Sequence, residues 1–225
     1  MQRKGIAYAI ISSATFGLLP LFSVTAMSSG QTPYSVLFYR FLFSTLLYGL
    51  FLKLRGESFR VSSRQLLELV VLGAACYGGT ALFLILSYGY IPTGIATTIN
   101  FLYPVMVALI LFLIFGERPS MGIAIAIVLS LGGVALMAWG PGANLSLRGG
   151  AYSLVTIFCY GFYVVGLNKT GLREVKGSTV TLYVLLVSTT GFAHGFRTTG
   201  RKVVYCHSPA RFLYLADDYL GATAR

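Results

Sequence analysis

Three polar residues and a proline lie within one apolar stretch: Thr97, Asn100, Tyr103 and Pro104. A proline inside a helix removes one backbone hydrogen bond and clashes with the carbonyl four residues earlier, here that of Asn100, so we expect a kink. Polar groups beside an irregular backbone at membrane depth are suited to holding a solute. The structural alternative is that the Asn100 amide simply satisfies the freed carbonyl. The clustering of three polar side chains favours binding.

Arg40 is a charged residue inside another apolar stretch. At the usual rise of 1.5 Å per residue it lies about 8 Å along a helix from Ser35. An arginine at this depth needs a partner, a path to water or an anionic group on a substrate. Its long side chain can also extend outward to the membrane surface. Depth alone does not decide between these alternatives.

Aromatic residues make up 14% of the chain, and several lie within apolar stretches rather than at their ends. Most are expected to pack between helices, but an aromatic-lined cavity would suit planar or amphiphilic solutes. The predicted substrate-binding residues are Tyr39, Arg40, Tyr77, Thr97, Asn100, Tyr103 and Pro104.

The composition places the chain in a membrane, because the mean hydropathy is +0.78 and only 10% of residues are charged. Apolar stretches of about 20 residues are the length that spans a bilayer as a helix. A soluble domain is excluded, and an all-α polytopic membrane protein of about seven spans is predicted. The stretches are about Gly5–Met27, Ser35–Leu52, Leu66–Leu86, Ile91–Phe115, Met121–Trp139, Gly150–Leu167 and Ser178–Ala193.

The basic residues lie mostly in alternate loops, which predicts the orientation. With the N-terminus in the cytoplasm, the only basic residue of the outer loops before the seventh stretch is Arg148. Positive charge is retained on the cytoplasmic side of membrane proteins, so the net charge of +11 indicates topology rather than nucleic-acid binding. The inner loops hold Arg3, Lys4, Lys53, Arg55, Arg60, Arg64, Arg118, Lys169, Arg173 and Lys176.

Residues 4–49 are echoed without a gap by residues 148–193. Five apolar stretches separate the two starts, so the second copy enters the membrane upside down. Such inverted repeats are typical of secondary transporters, which bind substrate between the copies near the midplane. The identities include Gly5/Gly149, Ala7/Ala151, Tyr8/Tyr152, Gly17/Gly161, Tyr39/Tyr183, Ser44/Ser188 and Thr45/Thr189, and Phe16/Tyr160 is a near match.

Several short motifs carry a family resemblance. They are Tyr90-Ile-Pro-Thr-Gly-Ile-Ala96, Phe101-Leu-Tyr-Pro-Val105, Phe115-Gly-Glu-Arg118, Lys4-Gly5, Phe16-Gly17, Tyr39-Arg40-Phe41 and Gly132-Gly-Val-Ala135. Together they resemble the EamA-type family of the drug/metabolite transporter superfamily. The resemblance implies a multi-pass carrier of the cytoplasmic membrane, usually of ten helices in two five-helix units, for small metabolites, amino acids or toxic compounds. It gives Arg40 a structural or gating role as readily as a binding one.

Catalysis is not predicted, because the spans offer no pair of titratable groups such as His and Asp. No carboxylate lies at mid-membrane, so a buried proton relay is unsupported, and no glycine-lysine nucleotide loop is present. The three cysteines are far apart in sequence and indicate neither disulfides nor a metal site. We expect no cofactor. The expected partners are the lipid bilayer and a small-molecule solute, with another copy or half-unit as a further candidate.

The predicted organisation is a complete five-helix repeat at 4–139, two helices of a second repeat at 148–193, and an atypical tail at 194–225. The seventh stretch, at about 16 residues, is short of the roughly 20 needed to cross. The tail brings both histidines and five basic residues, which suggests a reading-frame shift, although a genuine soluble tail is the alternative. The alternative function is therefore a truncated, transport-incompetent or assembly-dependent fragment of a carrier.

Overall fold

A computed structural model of the chain describes residues 2–57, 59–117, 120–138 and 146–199. These residues form helices and short connections, and none of them forms a strand, so the all-α class is confirmed. The helices are α1 (Gln2–Ser28), α2 (Pro33–Leu54), α3 (Ser63–Ser87), α4 (Thr93–Asn100), α5 (Tyr103–Phe115), α6 (Met121–Ala138), α7 (Leu147–Lys169) and α8 (Gly177–Thr199).

Five helical segments of the described chain are long and apolar enough to cross a membrane. Two shorter apolar segments, Gly17–Ser28 and Met121–Leu136, fall on α1 and α6. All seven predicted stretches thus coincide with helices, and five of them meet the length of a span. The five are Pro33–Leu54, Ser63–Ser87, Thr93–Phe115, Leu147–Lys169 and Gly177–Arg197.

The last helix is longer than the sequence analysis predicts. The predicted stretch ends at Ala193, but the apolar segment of α8 suited to spanning has 21 residues and ends at Arg197. The helix continues because its last turns are packed: the ring of Phe196 stacks on Phe38 with centroids 5.2 Å apart. The expectation that this segment is too short to cross is wrong. Residues 200–225, which contain most of the predicted tail, lie outside the described part of the chain.

Two helical segments have an irregular backbone. Residues Leu72–Gly78 of α3 form a π-helical segment, a feature that often occurs at functional sites. The predicted span Ile91–Phe115 is broken into α4 and α5, and Pro104 is the second residue of α5. The predicted interruption beside Asn100 is therefore confirmed.

The helices pack through close approaches at small residues. Helices α2 and α8 run antiparallel, because Phe38 contacts Phe196, near one end of the pair, and Gly49 lies against Leu182, near the other. Helix α7 contacts both α3 and α5. At Gly161 of α7, a Cβ atom would lie 2.8 Å from the Met106 side chain, so only glycine permits this spacing.

Candidate functional site

A cavity of about 370 Å³ lies among α1, α2, α3, α4, α5 and α7. We call the side of the bundle where α1 begins the N-terminal side and the opposite side the far side. The helix directions place the cavity between the middle of the bundle and the far side. Its lining residues are Leu19, Pro20, Ser23, Arg40, Tyr77, Thr80, Ala81, Leu84, Ile85, Tyr88, Thr97, Asn100, Phe101, Tyr103 and Tyr160.

Five of the seven predicted residues line this one cavity: Arg40, Tyr77, Thr97, Asn100 and Tyr103. They come from α2, α3, α4 and α5. The irregular segments position two of them, because Tyr77 belongs to the π-helical segment and Asn100 is the last residue of α4. Residues distant in sequence are thus brought together where the backbone departs from regular helix.

Tyr39 and Pro104 are not among the residues that line this cavity. Neighbouring residues on a helix point about 100° apart, and of Tyr39 and Arg40 on α2 only Arg40 lines the cavity. The Tyr39 ring instead meets Phe196 of α8 with centroids 5.9 Å apart. Pro104 lies in the first turn of α5, directly after the break that separates α4 from α5.

Asn100 is the most deeply buried of the predicted binding residues, with 7% of its surface exposed. Its Oδ1 atom is buried and has no hydrogen-bond partner in the described chain. A buried polar atom without a partner is costly, typically about 1–3 kcal/mol. The amide oxygen is therefore ready to accept a hydrogen bond from a solute or a water molecule in the cavity.

The threonines around the cavity donate their hydroxyl protons to their own helices. Thr97 Oγ1 donates to the carbonyl of Thr93 at 2.7 Å, and Thr80 Oγ1 donates to that of Cys76 at 2.8 Å. The Tyr88 hydroxyl also lies 3.5 Å from Thr97 Oγ1. Because the threonine protons are engaged, these hydroxyls face the cavity chiefly as acceptors.

Arg40 supplies positive charge to the lining. Its guanidinium carbon lies 5.5 Å from the ring centroid of Phe41, and it has no ion pair or hydrogen bond with any described residue. None of the lining residues is acidic. The acidic residues of the described chain, at the N-terminal side, are Glu57, Glu68, Glu117 and Glu174.

Tyrosines form the end of the cavity nearest the middle of the bundle. The rings of Tyr103 and Tyr160 meet edge to face with centroids 4.5 Å apart. Tyr163 lies behind them, 5.7 Å from Tyr160 and 5.2 Å from Tyr77, centroid to centroid. We call Tyr77, Tyr103, Tyr160 and Tyr163 the tyrosine floor.

Four further residues that line the cavity were not predicted from the sequence: Ser23, Thr80, Tyr88 and Tyr160. Thr80 follows Tyr77 by three residues, a spacing that places two side chains on one helical face. Tyr160 aligns with Phe16 in the internal repeat. Ser23 and Tyr88 had no comparable signal, because a single polar residue near the end of an apolar stretch is common.

Several contacts join the helices at the N-terminal side. Lys169 of α7 forms an ion pair with Glu117, just after α5. The hydroxyl of Tyr183 donates to the carbonyl of Phe59 at 2.9 Å. Beneath them lies a buried apolar cluster of Leu69, Leu172, Val180 and Val184, which we call the N-terminal-side cluster.

Comparison with known proteins identifies the family. Neither the curated proteins nor the solved structures include a match to the chain. The model of the EamA-like transporter family matches residues 3–139, which is more than half of the chain and includes every predicted binding residue. The chain therefore belongs to the EamA-like transporter family, part of the drug/metabolite transporter superfamily.

Proposed function

We propose that the chain is an integral membrane carrier of small metabolites or drugs and that the cavity lined by Arg40 and Asn100 is its solute site. The observation that carries the proposal is the convergence of Arg40, Tyr77, Thr97, Asn100 and Tyr103 on one cavity. A mostly apolar cavity with a few convergent polar groups is the usual form of a small-molecule site. The family membership supports transport as the activity.

The proposed mechanism is alternating access between inverted repeats. The contact of α2 with α8, which are the second helices of the two repeat copies, supports this mechanism. Thr45 and Thr189, which correspond in the repeat, hydrogen-bond to each other through their hydroxyls at 3.0 Å. Residues that correspond in two copies contact each other where the two-fold axis that relates the copies passes between them. An axis in the membrane plane also makes the corresponding helices antiparallel, as α2 and α8 are.

The proposed location is the cytoplasmic membrane, with the N-terminal side in the cytoplasm. The helix directions place Lys53, Arg64, Lys169 and Arg173 on the N-terminal side, and Arg148 and Arg197 on the far side. This distribution follows the retention of positive charge in the cytoplasm. The cavity would then face the exterior or periplasm in this conformation.

The test is solute exchange by the purified chain in liposomes, using a radiolabelled panel of amino acids, organic anions and organic cations. Asn100→Ala removes the unpartnered acceptor and is expected to reduce exchange of the transported solute about ten-fold. Asn168→Ala is the matched control, because Asn168 is exposed and its amide donates to Val164 within α7. Tyr103→Phe tests the contribution of one floor hydroxyl.

Equal exchange by Asn100→Ala and Asn168→Ala would contradict the assignment of the cavity. Failure of the wild-type chain to exchange any solute of the panel would overturn transport by this chain alone. The alternative, a transport-incompetent or assembly-dependent unit, would then replace it.

A further inference from the structure

We propose that Arg40 makes the cavity selective for organic anions, binding a carboxylate or sulfonate group of a solute whose apolar body lies along the tyrosines. The inference rests on the proposed solute site and specifies its chemistry. It narrows the range of solutes to those with a negative group and excludes organic cations.

The position of the Arg40 charge supports anion binding. Arg40 lies about 10 Å along α2 from Pro33, at 1.5 Å per residue, so it stands well inside the helix. Arg40 is also one of the residues that line the cavity. A guanidinium presents a fork of donors that matches the two oxygens of a carboxylate or sulfonate.

The Arg40 charge also lacks a counter-charge among the described residues. Arg40 has no ion pair with a described residue, and none of the described acidic residues lines the cavity. A charge in a membrane-embedded site is normally paired or faces water. The Phe41 ring, 5.5 Å from the guanidinium, gives only a weak cation–π contact. An anionic solute would supply the missing partner, whereas a cation would meet repulsion with nothing to offset it.

The other lining residues suit the uncharged part of such a solute. Tyr77, Tyr103 and Tyr160 offer ring surfaces against which a planar body can pack. Asn100 Oδ1, buried and without a partner, is an acceptor for an N–H or O–H group on the same solute. Arg40 would therefore bind the anionic end of the solute, and the tyrosines and Asn100 would contact the rest of it.

The test is isothermal titration calorimetry on the purified chain in phosphatidylcholine nanodiscs, with three probes that share an aromatic ring. Benzenesulfonate is anionic, benzenesulfonamide is neutral and phenyltrimethylammonium is cationic. Because hydrogen bonds to charged groups contribute about 1.5–3 kcal/mol, benzenesulfonate should bind about 10- to 100-fold more tightly than benzenesulfonamide. No heat of binding is expected for the cation.

Arg40→Met is expected to remove the difference between anion and amide, and Arg40→Lys to keep a preference for the anion. Arg148→Met is the matched control: Arg148 is exposed, lies on the same side and does not line the cavity. It should keep the full preference, which separates the site from general attraction to a basic protein. Each variant must first show the same thermal unfolding midpoint as the wild-type chain. If Arg40→Met does not fold, the relative affinities of the wild-type chain for the three probes still test the proposal.

The proposal is overturned if the wild-type chain binds the amide or the cation as tightly as the anion, or if Arg148→Met lowers the preference as much as Arg40→Met. It is also overturned if phosphatidylglycerol in the nanodiscs abolishes benzenesulfonate binding, because a lipid headgroup would then occupy Arg40. Anion binding without solute exchange would leave this inference standing and overturn the proposed transport. Exchange restricted to cations would overturn this inference and leave the proposed transport standing.

Discussion

The two sides of the helical bundle differ in how their helices meet. At the N-terminal side, α3, α7 and α8 close on the cluster of Leu69, Leu172, Val180 and Val184. Toward the far side, the helices separate around a cavity of about 370 Å³ whose lining includes Arg40. The tyrosine floor therefore lies between a tightly packed side and a cavity. For alternating access, contacts at the N-terminal side must open while the cavity closes.

The N-terminal side combines two kinds of contact that differ in strength. The apolar cluster is almost completely buried, with Leu69 at 0% and Val184 at 2% exposure. The ion pair of Lys169 and Glu117 is partly exposed, with side-chain exposures of 33% and 52%. Burial and close packing stabilise the closed side, whereas an exposed ion pair contributes little and is easily broken.

The largest expected effect comes from Gly73→Val, at the contact of α3 with α8. A Cβ atom at Gly73 would lie 3.3 Å from the Val184 Cα atom, and backbone cannot move aside as a flexible side chain can. Overpacking of this kind costs about 1–3 kcal/mol of stability. The thermal unfolding midpoint of the purified chain in detergent is expected to fall accordingly.

Gly132→Val is the matched control, because a Cβ atom at Gly132 of α6 meets nothing within 4 Å in the structure. Its unfolding midpoint should remain close to that of the wild type. Equal losses for the two variants would show that helix propensity, rather than the contact of α3 with α8, determines the effect.

A smaller effect is expected from Glu117→Gln, which removes the ion pair with Lys169. Solvent screens a pair this exposed, so the free energy of unfolding should fall by less than about 1 kcal/mol. The charge-reversed pair, Glu117→Lys with Lys169→Glu, should restore the wild-type value. A loss as large as that of Gly73→Val, measured by the same unfolding experiment, would contradict the distinction between strong packing and a weak ion pair.

Local chemistry made part of the structure predictable. Pro104 cannot donate a backbone hydrogen bond, so the break after Asn100 follows from one residue type. Arg40, Thr97 and Asn100 stand out because polar groups are rare within apolar stretches. Their placement around one cavity agrees with the expectation that such residues face the interior of a bundle.

Other features depend on packing that the sequence pattern does not reveal. Helix α2 is apolar on nearly every face, so the pattern cannot show that Arg40 rather than Tyr39 faces the cavity. The end of α8 contains His194 and Arg197, which lower its hydropathy, yet the stacking of Phe196 on Phe38 continues the helix. Tyr160 reaches the cavity only because Gly161 lets α7 approach α5.

The central claim, that water reaches the lining of this cavity and not the surface of α6, is tested most directly by thiol labelling. Cys76, Cys159 and Cys206 are replaced by alanine, and single cysteines are introduced by Ala81→Cys in the cavity lining and by Leu136→Cys on the lipid-exposed surface of α6. A charged methanethiosulfonate reagent reacts only with thiols that water reaches. The account predicts rapid labelling of the Ala81→Cys chain in liposomes and no labelling of the Leu136→Cys chain. Labelling of both chains at the same rate, or of Leu136→Cys alone, would contradict it.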